Sequence, residues 1–308
     1  MSILVLSHPL PPAPFADALR RVAPDVPVWT ETDAPPPDGV EAILAWRMKA
    51  GILPRYPNLR VLCSTGAGVD KLLVSDLPAH VPVTRVVDPA QGVEIAQYVV
   101  AQALAFTRDL PLYARQQAEA RWARHPVRLA AQCRVGILGL GAVGQAIARA
   151  FVPLGYPVAG WSRTPKAVPG VQTHAGPGEL RGFLAQTDLL VCALPLTPET
   201  HGLLNADTLG QLPRGAFVIN VGRGEQLVER DLQGLLDHEH LAGAALDVFE
   251  RDPPPPDNWV WRHPKVVATP HIAAQASFDV VAQQCVESWR SARAGAVPAL
   301  AVDRQAGY

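Results

Sequence analysis

Three residue types in the C-terminal half of this chain could together handle a small organic acid. Arg223 stands between two glycines in FVINVGRGEQLV, and His271 follows proline in VVATPHIAA. Between them, Asp247, Glu250 and Asp252 crowd the stretch DVFERDPPPP. A guanidinium binds a carboxylate through two parallel hydrogen bonds. An imidazole moves a proton near neutral pH, and a neighbouring carboxyl favours its charged form. Taken singly, each has a plainer reading: an arginine between glycines can serve a surface ion pair, and a histidine after proline can serve a turn. The set gains weight because each group follows a run of aliphatic residues, AFVIN, GAALDV and VVATP, that reads as a strand. In open α/β sheets the ligand crevice lies outside the carboxyl ends of the strands. Asp252 and Glu250 are rival partners for His271, and Asp247, at the strand end itself, is placed inside that crevice.

A second constellation precedes the first. RVGILGLGAVGQAIARAF carries Gly139, Gly141 and Gly144 in GxGxxG spacing, with Ala142 and Val143 inside the motif. Such triplets are common, but here an aliphatic strand precedes the loop and a helical pattern follows it. The glycines then serve a tight turn, a close backbone approach to a pyrophosphate, and close helix–strand packing. The helix N-terminus points free N–H groups at the phosphates. The next strand, PVAGW, ends in Ser162, Arg163 and Thr164, with Lys166 beyond. A site for NAD(H) usually carries an acid here for the ribose 2′-hydroxyl. A guanidinium and hydroxyls suit a 2′-phosphate instead. NADP(H) is therefore expected over NAD(H), which stays possible; stacking of Arg163 on adenine is the alternative.

The elements that must position these groups repeat along the chain. ILVLS, VPVWT, AILAW, RVLCST and PVTRVV read as five strands in the first ninety residues. Phe15, Leu19 and Val22 fall on one helical face between the first two. A helical segment begins near Gln91, and from residue 134 the series restarts with RVGIL, PVAGW, LLVCAL, AFVIN, GAALDV and VVATP. Alternation of this kind implies an α/β protein with two Rossmann-like domains, each built on a parallel sheet. The last helical segment returns to the first domain, making it discontinuous. Residues 1–97 plus 276–308 form a substrate domain, and 98–275 a dinucleotide-binding domain.

Bulk properties narrow the function classes. With 308 residues and 48% hydrophobic content, the chain can bury two modest cores. Formal net charge is −1 without charged blocks, so neither nucleic acid nor membrane is an expected partner. MSILVLSHPL reads as a first strand rather than an export signal. Cys63, Cys133, Cys192 and Cys285 lack ligand spacing, so no metal is expected and reduced thiols in the cytoplasm are. Trp46, Trp259 and Trp261 are the tryptophans best placed to line a pocket.

The chain resembles the D-isomer-specific 2-hydroxyacid dehydrogenases, and among them the bacterial NADPH-preferring glyoxylate/hydroxypyruvate reductases. STGAGVD, VGILGLGAVG, WSRTPKAVPGVQTHAG, LPLTPETHGLLN, NVGRGEQLVERDL, ALDVFERDPPPP, HPKVVATPHIAA and the tail VDRQAGY carry the resemblance from about residue 60 onward. It implies Arg223 as the substrate arginine and His271 as the acid/base. It implies the backbone of Ala67, Gly68 and Val69 as carboxylate ligands, with Trp46 at the substrate. Leu194, Pro195 and Val221 join the cofactor contacts, and a homodimer is implied. Asp252 occupies the position of the family's catalytic glutamate, one methylene shorter, which costs about 1.5 Å of reach. Either the backbone shifts to compensate, with the prolines fixing the loop, or a water intervenes, or Glu250 replaces it, or the acid is weakened. The expected reaction is NADPH-dependent reduction of glyoxylate or hydroxypyruvate. Alternatives are a larger 2-oxo acid, or a dinucleotide-sensing binding protein that has lost turnover. The terminal Gly307 and Tyr308 receive no role.

Overall fold

A computed structural model of the chain describes residues 1–304; the terminal Gly307 and Tyr308 lie outside the described residues. The chain divides into two compact units, Met1–Pro89 together with the segment from Gln275 onward, and Ala90–Ala274.

In the first unit the expected aliphatic runs become β1 (Ser2–Leu6), β2 (Val28–Thr30), β3 (Val40–Ala45), β4 (Val61–Ser64) and β5 (Val83–Thr84), with α1 (Ala13–Val22) after β1. They form one parallel sheet in the order β2-β1-β3-β4-β5. Side chains alternate across it as the two-residue period of a strand requires. Ile3, Val5, Leu44 and Cys63 pack on one face, against Phe15 and Leu19 of α1. Leu4, Ile43, Ala45 and Leu62 pack on the other, against Leu53, Leu59 and Leu72. The helix Phe278–Arg293 covers the first face beside α1: the rings of Phe15 and Phe278 meet edge-on with centroids 4.8 Å apart. Gln284 of that helix bonds both backbone groups of Val87, at 3.0 and 2.8 Å. The C-terminal helix thus belongs to the first unit, and that unit is discontinuous.

The second unit opens with α2 (Pro89–Thr107) and α3 (Leu110–Ala118). The expected cut after residue 97 falls inside α2, which is one continuous helix. Then come β6 (Val135–Leu138), α4 (Ala142–Phe151), β7 (Val158–Ser162), β8 (Gln172–Ala175), α5 (Pro177–Leu184) and β9 (Leu189–Cys192). α6 (Ala206–Leu209), β10 (Ala216–Asn220), α7 (Glu229–Asp237), β11 (Leu241–Leu246) and β12 (Val266–Ala268) complete it, and the C-terminal helix is α8. The sheet is parallel throughout, in the order β12-β11-β10-β9-β6-β7-β8. The strand order reverses between β6 and β9, the switch point at which doubly wound sheets bind ligands. Ile137, Val191, Phe217 and Ile219 face Val99 and Phe151 on one side. Leu138, Leu190, Val218 and Leu246 face Phe183, Leu232 and Leu236 on the other. β8 has no counterpart among the expected strands. Its sequence, QTHA, has no aliphatic run because it is an edge strand without a fully buried residue. Among the described residues, no helix is long and apolar enough to cross a membrane.

Candidate active site

The glycine loop joins β6 to α4 at the switch point, and packing there explains two of its three motif glycines. Gly139 has φ +99°, and a Cβ on it would meet the Ala193 carbonyl oxygen at 2.8 Å. A Cβ on Gly144 would collide with the Gly139 carbonyl, so helix and loop touch through bare backbone. Gly141, by contrast, has nothing within 4 Å of where its Cβ would be. That open cradle, at the N-terminus of α4 and beside exposed Ala142, is where a pyrophosphate fits. Leu194 is buried and Pro195 exposed just past β9, across the switch point from the loop, and Val221 is half-buried just past β10. At the end of β7, Ser162 is buried and its hydroxyl donates to the Thr164 carbonyl at 2.8 Å. Arg163 and Thr164 are exposed. A neutral hydroxyl and a guanidinium at this strand end fit a dinucleotide bearing a 2′-phosphate.

β10, β11 and β12 are adjacent in the sheet, so their C-terminal loops are neighbours. Arg223 follows β10. The glycines around it are both forced by close packing: a Cβ on Gly222 would collide with Gln226 Oε1, and one on Gly224 with the Phe249 backbone. Gln226, 0% exposed, is the anchor of this loop. Its Oε1 accepts the Arg223 N–H at 2.8 Å and the Cys192 thiol at 3.3 Å. Its Nε2 donates to the carbonyls of Leu194 and Pro195, at 3.0 and 2.9 Å. Burial pushes the Cys192 thiol up to about 12, so it remains a donor. Asn220, fully buried at the strand end, accepts the Gly222 N–H and donates to the Arg223 carbonyl, both at 3.1 Å.

His271 follows β12 and Asp252 follows β11. Nδ1 of His271 lies 2.8 Å from Oδ2 of Asp252, with the two side chains 23% and 18% exposed. Glu250 is exposed, and its backbone N–H is bonded elsewhere, to Glu229. Between the two rival acids, the structure pairs His271 with Asp252. The carboxylate engages Nδ1, the arrangement in which an acid fixes the orientation of an imidazole ring.

His271 itself sits at φ +57°, a left-handed conformation costly for a residue with a Cβ. Asp247, 1% exposed, holds the loop in that shape. Its Oδ1 accepts Thr269 Oγ1 at 2.6 Å and the Ile272 N–H at 2.8 Å; its Oδ2 accepts the Ala273 N–H at 2.8 Å. Tyr98 of α2 lies 2.7 Å from Thr269 Oγ1. Threonine has one hydroxyl proton, and Asp247 takes it, so the Tyr98 hydroxyl donates to Thr269. Burial, followed by the nearby Asp247 charge, outweighs the hydrogen bonds that favour phenolate and pushes the Tyr98 phenol up to about 12.

In the first unit, Trp46 is half-buried after β3, and its ring lies 3.3 Å from where a Cβ on Gly66 would be. Ser64 shapes the following turn, accepting the Gly66 N–H at 3.1 Å and donating to the Gly68 carbonyl at 2.8 Å. Ala67 is exposed, Gly68 half-buried and Val69 buried. Trp261 braces the proline run, its Nε1 donating to the Pro255 carbonyl at 2.9 Å, and Trp259 meets His263 edge-on.

Sequence reasoning missed Gln226, Glu229, Tyr98 and Thr269. Their signal was available only as type: polar residues inside otherwise apolar surroundings, three of them near Arg223 or His271 in sequence.

A doubly wound sheet with a glycine cradle at its switch point, and a histidine–carboxylate pair on the loops after β11 and β12 of the same sheet, defines an NAD(P)-dependent oxidoreductase. Comparison with known proteins narrows the class. The family model for the D-isomer specific 2-hydroxyacid dehydrogenase NAD binding domain matches residues 100–273. The chain belongs to that family. It is 36% identical over 286 residues to glyoxylate/hydroxypyruvate reductase A of Yersinia enterocolitica, covering 91% of this chain and 90% of the relative. Among solved structures, it is similar to a D-isomer specific 2-hydroxyacid dehydrogenase from Xanthobacter autotrophicus Py2 in complex with NADPH and MES. That match has a TM-score of 0.90 and 40% identity, over 100% of this chain and 99% of the other. An NADPH-dependent glyoxylate/hydroxypyruvate reductase from Sinorhizobium meliloti, in complex with NADP and sulfate, matches with a TM-score of 0.91 and 34% identity over the whole of both chains.

Proposed function

We propose that this protein reduces a small 2-oxo acid, glyoxylate or hydroxypyruvate, to the 2-hydroxy acid at the expense of NADPH. The observation that carries the reading is the His271–Asp252 pair, 2.8 Å apart on the strand-end loops beside that of Arg223. The Arg223 guanidinium pairs with the substrate carboxylate and polarises its C2 carbonyl. His271 gives the proton on Nε2 to the oxygen that becomes the alkoxide, while Asp252 holds the Nδ1–H and stabilises the imidazolium. Bound NADPH supplies the hydride. Gly139, Gly141, Ala142, Val143 and Gly144 hold the pyrophosphate, and Ser162, Arg163 and Thr164 hold the 2′-phosphate. Leu194, Pro195, Val221 and Asp247 are assigned to the cofactor crevice; Asp247 also fixes the His271 loop. In the first unit, the ring of Trp46 and the N–H groups of Ala67, Gly68 and Val69 are assigned to the substrate. The first unit acts as the substrate domain and the second as the dinucleotide-binding domain. The names of the Yersinia and Sinorhizobium relatives support the substrate, and the NADP(H) complexes support the cofactor.

The working form is a homodimer built through the second unit. Val93, Leu104, Leu110, Val127 and Leu129 are exposed there, and Trp122 is 96% exposed. These exposed apolar side chains are the ones a partner would cover, and a two-fold copy of the same chain is the simplest cover. Four buried cysteines outside any disulfide suit a reducing compartment, so the cytoplasm is the expected location. Mixing the protein with NADPH and glyoxylate tests the activity: NADPH must be consumed in step with hydroxy acid formed.

A further inference from the structure

An aspartate carboxyl sits one carbon–carbon bond closer to its backbone than a glutamate carboxyl, about 1.5 Å. For Asp252 to reach His271, its backbone must therefore be brought forward and held. The loop that carries it, residues 250–258, is gripped at both ends by one side chain. Glu229, in the first turn of α7 and 7% exposed, accepts the Glu250 N–H on Oε1 at 2.9 Å. Its Oε2 accepts Nδ2 of Asn258 at 3.1 Å. Asp252 lies between these two fixed points, and so do the four prolines, Pro253 to Pro256. The Pro255 carbonyl is tied in turn by the Asn258 N–H at 3.0 Å and by Trp261 at 2.9 Å. The span can therefore neither slide along α7 nor swing out without breaking these bonds.

The grip demands a carboxylate. Both of its partners are donors, and a carboxylate accepts on both oxygens. A glutamine would offer one acceptor and turn an NH2 toward the Asn258 amide. Asn258 cannot rotate its amide in reply, because its Oδ1 already accepts the Val260 N–H at 3.0 Å. Burying a carboxylate is costly unless hydrogen bonds compensate it, and here the bonds it makes fix the two ends of a catalytic loop. We propose that Glu229 is a positioning residue for Asp252: by holding Glu250 and Asn258 it advances the short acid onto His271. This rests on the reading of His271 and Asp252 as the acid–base pair of a reductase.

The test is a mutant cycle read by steady-state kinetics with NADPH and glyoxylate, supported by proton NMR. Glu229→Gln lowers kcat about tenfold, the cost of loosening one charge-assisted hydrogen bond, with KM for both substrates nearly unchanged. Asn258→Ala, which cuts the other end of the grip, does the same. In an Asp252→Ala background Glu229→Gln adds no further loss of kcat. Asp252→Glu lowers kcat in the otherwise native chain, where the longer arm overreaches. In the Glu229→Gln chain the same change raises kcat, because the longer arm reaches from a loop that has dropped back. The hydrogen-bonded imidazole proton of His271, absent in His271→Ala, is lost from the downfield spectrum of Glu229→Gln. Native kcat in Glu229→Gln, an equal loss in the Asp252→Ala background, or no rescue by Asp252→Glu overturns the proposal. A native chain without turnover removes the reductase reading instead. The His271 resonance then decides the inference: its loss in Glu229→Gln upholds the grip, and its persistence overturns it.

Discussion

Nδ1 of His271 and Oδ2 of Asp252 lie 2.8 Å apart, although the first residue holds a left-handed backbone and the second carries a short arm. Each belongs to a loop tied down by a buried carboxylate, Asp247 for the histidine and Glu229 for the acid. The pair is therefore set by the scaffold rather than by the two side chains finding each other.

Removing the proposed proton donor separates binding from chemistry. His271→Ala is expected to lose about 10²- to 10⁴-fold in kcat, the range of a general acid. NADPH binding, followed by the fluorescence of the reduced nicotinamide, stays native. Turnover close to native in that variant would remove His271 from the mechanism.

The proposed mechanism gives Arg223 two tasks on one substrate, so its loss should appear in both kinetic constants. Arg223→Ala raises KM for the oxo acid and lowers kcat, with kcat/KM falling by about 10²- to 10³-fold or more. Arg223→Lys keeps the charge without the planar fork and recovers only part of the loss. A change confined to KM would assign the guanidinium to binding alone.

The proposed seat of cofactor choice is the end of β7. Ser162→Asp puts a carboxylate where the 2′-phosphate is expected, and Arg163→Ala removes its cation. Both variants shift the ratio of kcat/KM values from NADPH toward NADH, and the double variant shifts it further. Unchanged ratios would place the adenosine end of the cofactor elsewhere.

Tyr98 makes a prediction about stability. Its phenol is pushed from its ordinary 10 to about 12 in the folded chain, mainly by burial. A raised folded value means that stability from the protonated phenol is complete below pH 10 and is lost as pH rises through about 12. Tyr98→Phe therefore flattens the fall of the urea midpoint across that window. Cys133 and Cys192, raised to about 11 and about 12, contribute equally to both proteins and cancel in the comparison. Equal slopes for the native and Tyr98→Phe chains would mean that the phenol is not buried as described.

The exposed apolar surface predicts the assembly. Trp122→Glu with Leu129→Lys is expected to halve the mass in analytical ultracentrifugation and leave the far-ultraviolet spectrum native. A native mass in that double variant would place the interface on another surface.

What the sequence made legible follows from what each residue does. The strands of both sheets, apart from β8, were visible because parallel strands covered on both faces must be aliphatic. β8 escaped because an edge strand needs no such run. Arg223 and His271 were visible because strand ends and glycines announce them. The choice between Asp252 and Glu250 was not, since two residues of spacing leave either one able to face the histidine. Geometry decided it, by placing Nδ1 of His271 2.8 Å from Oδ2 of Asp252, and Glu229 ties that loop through bonds that span 21 and 29 positions of sequence. Gln226 acts in the same way: its importance lies in what surrounds it after folding, and a sequence shows only that it is polar. Asp247 was visible at its strand end, but its three bonds to the His271 loop were not.

The most direct measurement follows NADPH absorbance after glyoxylate or hydroxypyruvate is added to the native chain and, in parallel, to His271→Ala. The native chain should consume NADPH and release one 2-hydroxy acid for each molecule oxidised, and the variant should bind NADPH and leave it unspent. Tight NADPH binding by the native chain with no consumption by either acid would contradict the account.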